Sequence, residues 1–384
     1  MDKNLENYQG YEVGPIRPPS ESVSLLLRII RNCPWNQCHF CSLYKNKSFS
    51  VRPKEHIMKD IEIAGEMVAI LQRQDEDLKS KKSRIMEMLS SQQATRELVY
   101  YNVLNWYRNG MKSVFLQDAN SLVMKPEDAI DILKTLRRQF PEIQRITCYA
   151  RSHTIARISD EHLEQMAAAG LNRVHIGMET ASDEVLRLVK KGADKETHIL
   201  AGQKVKRTSM QLSEYYMPGL GGTEYAEESA LETADALNQI DPDYIRIRTL
   251  ALHDRSRLKA DYENGVFSRS NDVQMVRELK IVIENLQGIT SIVQSDHIIN
   301  LLPEVEGKMP EDQEKILSVI NWFLSLPESE QMLYRMGRRT GVMNCKEDLS
   351  DSTRRKRVQQ MIQQNSITMD NVDQMTDELI QRYI

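Results

Sequence analysis

The chain has 384 residues, of which 40 % are hydrophobic and 28 % charged, with a formal net charge of −4. That length allows one large barrel or two to three domains, and the balance suits a globular chain with a substantial core. A slightly acidic whole gives no general attraction to nucleic acid or to a membrane surface. No apolar run is long enough to span a bilayer, since even 24–30 carries Arg28. Residues 1–14 are polar and lack the apolar stretch of a signal peptide, so a cytoplasmic location is expected.

In chain order, the apolar run 23–30 reads as a strand, with three cysteines directly after it. Two long helices are expected next, over 56–72 and about 82–108, flanking a charged stretch at 72–84; an elongated crossover packed outside the core is the simplest reading. Further β-like runs follow at 114–117, 146–149, 173–177, 211–216 and 244–248, at the spacing of consecutive βα units. The intervening helices are punctuated by Pro126 with Glu127 and Asp128, and by Ser159 with Gly170 at the far end. Parallel strands with helical crossovers are α/β architecture, barrel-like or doubly wound. After 301 the pattern turns helical with no strand signals, over 310–326, 328–339, 350–364 and 369–383.

Cys33, Cys38 and Cys41 are thiol ligands of the kind iron–sulfur clusters use, and a full cubane needs four. Three would leave one iron open for a small molecule, which points to chemistry. Zinc is the competing reading, but a structural zinc site takes a closed set of four ligands, usually as separated pairs. His39, between two of the cysteines, would have to bend back awkwardly to serve. A disulfide needs an oxidising compartment that nothing here indicates. Cys148, inside a β-like run, reads as a small buried hydrophobe, and Cys345 is isolated; these two cannot build an auxiliary cluster.

Cysteines after the first strand of a series of βα units resemble the radical S-adenosylmethionine (SAM) superfamily, in particular a branch of Fe–S oxidoreductases with a Cys-x4-Cys-x2-Cys motif. The family's usual spacing has three residues where this chain has Pro34 to Gln37, so the loop absorbs one more, with Pro34 and Asn36 as turn formers. The resemblance covers about 22–260 and implies a partial (β/α)6 TIM-like barrel with a long helical insertion after strand one and a helical C-terminal region. The expected division is an N-terminal segment 1–21, a barrel 22–300 with the insertion at about 56–109, and a helical region 301–384. With so few residues before the first strand, an N-terminal cobalamin-binding domain is not expected.

The resemblance further implies a [4Fe–4S] cluster on Cys33, Cys38 and Cys41, with S-adenosyl-L-methionine chelating the open iron. Phe40 falls at the aromatic position that lies near the adenine in the family. Asp118 or Asn120, in Gln117–Asn120 after the second barrel strand, stands where the family has a glycine-rich acidic motif for the SAM amino group, here without its glycines. Glu179 and Ser182 match the fourth-strand motif that runs to Lys191 and Gly192. Gly219 and Gly221, with Gly222, match the glycine loop after strand five. A reductively generated 5′-deoxyadenosyl radical that takes hydrogen from an organic substrate is the implied chemistry, with an electron donor such as flavodoxin or ferredoxin as partner.

Each residue also has an ordinary structural reading. Ser182 before two acids is a normal helix cap, and Glu179 a helix N-terminal carboxylate. Arg246 and Arg248 share one face of their strand and need anionic partners, whether Asp or Glu, a substrate or the SAM carboxylate. Arg151, His153, Tyr215, Tyr216 and His253 sit at strand ends, facing a cleft, solvent or the core. The basic runs at 335–339 and 354–357 read as solvated helix faces before they read as phosphate contacts. The leading expectation is therefore a radical SAM enzyme acting on a small organic molecule. Modification of RNA or protein, and a non-catalytic metal-holding scaffold or sensor, are the alternatives.

Overall fold

The structure is a computed structural model that describes residues 6–90 and 95–383. The chain divides into two compact units: Met1–Pro34, Asn46–Ile176 and Lys204–Leu212 form the first, and Trp35–Lys45, Gly177–Gln203 and Ser213–Ile384 the second.

The first unit is built on parallel pairing. Strand β1 (Leu25–Arg28) is followed by a short antiparallel pair, β2 (Ile30–Arg31) and β3 (Ser50–Val51), and then by β4 (Ser113–Gln117), β5 (Arg145–Ala150) and β6 (Arg173–Glu179). β1 pairs with β4, β4 with β5 and β5 with β6, all parallel, with Arg28 opposite Gln117 and Tyr149 opposite His175. Because side chains alternate along a strand, Val114, Leu116, Ile146, Cys148, Val174 and Ile176 share one buried aliphatic face. On the other face Phe115, Tyr149 and His175 form an edge-to-face row with centroids 5.1 and 5.8 Å apart.

Among the described residues the crossover after the cysteines shows the helices Lys54–Gln72, Leu78–Met88 and Arg96–Arg108, the first starting two residues earlier than expected and a helix beginning already inside the charged stretch. Asp77 restarts the chain inside the charged stretch, its carboxylate accepting the N–H of Ser80. Residues 91–94 of the expected second helix lie outside the described residues. Asn102 on the third helix donates to the Leu26 carbonyl and accepts the Leu26 N–H, both at 3.1 Å, so an amide side chain closes the backbone edge of β1.

In the second unit β7 (Gln211–Tyr216, of which Ser213 onward belongs here) pairs in parallel with β8 (Tyr244–Ile247), and β8 with β9 (Ile292–Gln294). A two-residue β10 (Gly307–Lys308) adds antiparallel to β9, correcting the expectation of no strand after 301. Strands of two or three residues are too short to show a period. The C-terminal helices run Gln313–Ser325, Glu328–Arg339, Ser352–Gln364 and Val372–Ile380.

The first basic run is not a solvated face. Arg335 and Arg339 are each 3 % exposed and converge on the buried Asp272 carboxylate, Arg335 Nε at 3.1 Å, while Arg335 also pairs with Asp373. Arg338 donates to the carbonyls of Asn300, Leu301, Met343 and Asn344. In the second run Arg354 pairs with Asp348 and Arg355 with Glu330. Pairing with groups far along the chain takes up Arg335, Arg339 and Arg355, which one helix read alone could not reveal, whereas Lys356 and Arg357 are exposed.

Candidate active site

Loop 32–45, which carries the cysteines, contains neither helix nor strand and is held by its flanks. At its start, in the first unit, Asn32 adopts a left-handed φ of 66°. Its N–H donates to Asp118 Oδ2 at 3.1 Å and its side-chain amide to the Ser48 carbonyl at 2.6 Å. In the second unit Trp35 Nε1 donates to the Lys190 carbonyl at 2.7 Å. The His39 N–H donates to the Val189 carbonyl, and the His39 carbonyl accepts the Leu258 N–H. His39 turns its Nδ1 toward Asp261 at 3.4 Å, and burial foremost holds its pKa below the usual histidine value.

The chemistry of the donors, three free thiols and no further cysteine in the loop, is of the kind a cluster with an open iron takes. Cys33, Cys38 and Cys41 are all reduced and partly exposed, and His39 is committed to Asp261. The fully buried Cys148 thiol is pushed up by burial, which suits the inert core residue expected of it. Cys345 is less isolated than its sequence suggests: its sulfur and carboxylate oxygens of Glu304 and Glu347 lie within 4.8 Å of one another.

Phe40 is partly buried against an apolar cluster of Val185, Val189, Met217, Leu220, Leu250, Leu252, Leu258 and Phe267. Lys191 Nζ lies 5.5 Å from its ring centroid and 3.2 Å from Glu179 Oε1. Glu179 ends β6 with φ at 68°, which folds its side chain back over Gly177, where a Cβ would overlap the carboxylate. Phe40, Lys191 and Glu179 thus form a connected group within the second unit.

Other expected residues are engaged by the protein itself. Asp118 is fully buried and pairs with Arg28, whose Nη2 and Nε lie 2.7 and 2.8 Å from Oδ2. Asn120 donates to Thr154 Oγ1 at 2.8 Å and accepts the Arg151 N–H at 3.1 Å, bridging the ends of β4 and β5. Ser182 caps the helix Asp183–Leu188, accepting the Val185 N–H, and donates to Glu228 at 2.8 Å. Arg246 is buried and paired with Asp296. Arg248, one residue past β8, is exposed; its N–H donates to the Tyr216 carbonyl, and its charge adds to the burial that holds His297 at about 4.

The glycine loop turns on Gly219, at φ 91°, and Gly222, at φ 62°; Gly221 is close-packed instead, its Cβ position 3.1 Å from Tyr225. Under the loop lies a residue that sequence reasoning missed. Glu278, buried in the helix Asp272–Asn285, accepts the Gly219 N–H at 2.8 Å and the Tyr216 hydroxyl at 2.9 Å. Burial pushes its carboxyl up to about 8. Nothing local marks this glutamate, which sits 62 residues beyond Tyr216.

A profile of the radical SAM superfamily matches residues 27–234, more than half of the chain. The chain belongs to the radical SAM superfamily. It is an enzyme, and its elements are those of an α/β fold with mostly parallel strand pairing, helices inserted after β1 and a mainly helical C-terminal region. The tRNA uridine(34) acetyltransferase of Methanocaldococcus infernus is 26 % identical over 110 residues, covering 28 % of this chain. The chain thereby spans about a fifth of that relative's length, 21 %. Among solved structures, Methanocaldococcus infernus Elp3 with an N-terminal deletion aligns at 16 % identity and TM-score 0.43, over 58 % of this chain and 57 % of that one. Coproporphyrinogen III oxidase of Escherichia coli aligns at 16 % and 0.43, over 73 % and 59 %. Among the described residues no helix is long and apolar enough to cross a membrane.

Proposed function

We propose that the protein cleaves S-adenosyl-L-methionine reductively and uses the product radical to take hydrogen from an organic substrate. The observation that carries this reading is the three-thiol loop, anchored on both flanks, in a chain of the radical SAM superfamily. When bound, the [4Fe–4S] cluster and SAM supply a one-electron cleavage of the sulfonium, with the electron from an external donor of the flavodoxin or ferredoxin kind. Cys33, Cys38 and Cys41 hold the cluster by their thiolates. Phe40 offers an apolar wall for the adenine, and Glu179, balanced by Lys191, accepts hydrogen bonds from the SAM amino group or ribose. The Gly219–Gly222 turn, its glycines packed by Met275, Tyr225, Phe267 and the Ser268 backbone, shapes the chain after β7, and the exposed Arg248 offers a cation to the SAM or substrate carboxylate. Asp118 anchors the chain ahead of Cys33, Asn120 ties the ends of β4 and β5, and Ser182 caps the helix that follows Glu179. Residues 22–300 would carry the βα units of the superfamily and 301–384 a mainly helical region.

A small-molecule substrate is the better-supported class, because the arginines of the two basic runs are largely spent on internal partners. RNA is the second reading, favoured by the local similarity to a tRNA-acting enzyme. The test is 5′-deoxyadenosine formation by anaerobically reconstituted protein with SAM and dithionite, beside a Cys33/Cys38/Cys41→Ala variant. Product from the wild type alone is expected. A fully loaded wild-type cluster that yields none, even with cell extract added, overturns the reading. Product stimulated by added tRNA would move the substrate to RNA.

A further inference from the structure

The cysteine loop contains one side chain that neither binds metal nor fills the core, yet has a seat built for it. Trp35 lies in the four-residue stretch between Cys33 and Cys38. Its indole N–H donates to the Lys190 carbonyl at 2.7 Å, and its ring lies flat against Gly192. A Cβ on Gly192 would stand 2.5 Å from Trp35 Cζ2 and 2.6 Å from Cε2, so only glycine leaves room for the indole. Gly192 also has φ of 73° and Lys190 of 49°, which turns the chain sharply after the helix Asp183–Leu188 and presents the Lys190 carbonyl. The next residue, Asn36, takes φ of 47°, donates from its side chain to the Tyr44 carbonyl at 2.6 Å, and has its own carbonyl held by Lys45 Nζ at 2.8 Å. Gln37 is exposed. Trp35 is thus docked on the turn after the helix Asp183–Leu188, and Asn36 closes the loop's own turn.

The same short turn grips the loop elsewhere. The Val189 carbonyl takes the His39 N–H, and Lys191 lies over Phe40. We propose that the turn Val189–Gly192 is a docking seat for the cysteine loop, with Trp35 and Gly192 as its positioning pair, and that the seat fixes Cys38 and Cys41 before any cluster arrives. This rests on the cluster reading above for its purpose, but the geometry stands without it.

The experiment uses Trp35→Phe, which removes the N–H, and Gly192→Ala, which removes the space. In metal-free, reduced full-length protein, iodoacetamide labelling of each cysteine is followed by mass spectrometry. Cys38 and Cys41 are expected to react about tenfold faster in Gly192→Ala, and severalfold faster in Trp35→Phe, as the loop opens locally. Buried Cys148 should stay silent and remote Cys345 unchanged, which separates loop release from unfolding. Iron loss to a chelator from reconstituted protein should quicken by about the same factor, with an altered electron paramagnetic resonance line shape of the reduced cluster. Labelling rates within twofold of wild type in both variants, or all cysteines accelerating together, overturn the seat. A wild type that takes up no cluster while the labelling pattern holds would sink the cluster reading and leave the seat standing.

Discussion

The Asp118 carboxylate accepts the Asn32 N–H at 3.1 Å, one residue before Cys33, and the same oxygen is gripped by Arg28. A residue expected from the sequence to meet SAM thus anchors the start of the cysteine loop. Replacing Asp118 by Ala leaves the Arg28 guanidinium, among the described residues, with Glu12 at 3.6 Å as its remaining carboxylate partner. We expect a loss of about 2–4 kcal/mol in urea unfolding, together with poor cluster retention. Asp118→Asn, which can still accept the Asn32 N–H, should retain the cluster better than Asp118→Ala.

Glu179 tests the ligand side instead. Its side chain pairs with Lys191 and both are largely buried, so Glu179→Gln, which keeps an acceptor but loses the charge, should cost about 1–3 kcal/mol in urea stability. If it contacts SAM, kcat/KM for SAM should fall by about tenfold or more, a loss of about 1.4 kcal/mol in the transition state. Unchanged SAM kinetics would remove Glu179 from the site.

Glu278 predicts a pH signature. A carboxyl whose folded pKa is raised to about 8 holds its proton in the folded state after the unfolded chain has lost it. Stability therefore falls as pH rises from the ordinary glutamate range to about 8, and levels off above that. Glu278→Gln should flatten this segment of the stability profile, read as urea midpoints between about pH 5 and 9. A wild-type profile without that slope would contradict the assignment.

Asp272 carries the opposite sign. Although burial opposes ionisation, Arg339 and Arg335 hold its carboxyl well below the usual range. Its stabilising contribution is present above the ordinary aspartate pKa and is lost as pH falls below it toward the depressed folded value. Asp272→Ala leaves two buried arginines short of their shared partner and should cost about 3–5 kcal/mol at neutral pH. Arg355→Ala, at the partly exposed pair with Glu330, should cost about 1 kcal/mol or less.

The parallel strands were legible because alternation and punctuation are local. The runs read at 114–117, 146–149, 173–177, 211–216 and 244–248 coincide with β4 to β8 within a residue or two at each end. The short antiparallel pair β2–β3 and the short strands β9 and β10 were not, because two or three residues take their strand identity from the neighbour they bond. The same holds for polar side chains. Ser182 before two acids looked equally like a cap and a ligand contact, and the cap is what its hydroxyl forms. Arg246 and Arg248 looked equivalent by alternation, yet one is buried on Asp296 and the other exposed.

By itself the sequence determined the chemistry on offer: three closely spaced thiols after a first strand, and a series of βα units bearing the motifs of one superfamily. These are properties of neighbours along the chain, set by covalent spacing and by the period of side-chain direction. Tertiary structure alone decided which polar groups are spent inside the protein and which stay available. Arg28 reaches Asp118 across 90 residues, and Glu278 holds Tyr216 across 62. A buried charge or donor must find its partner wherever the fold brings one, and no local pattern encodes that meeting.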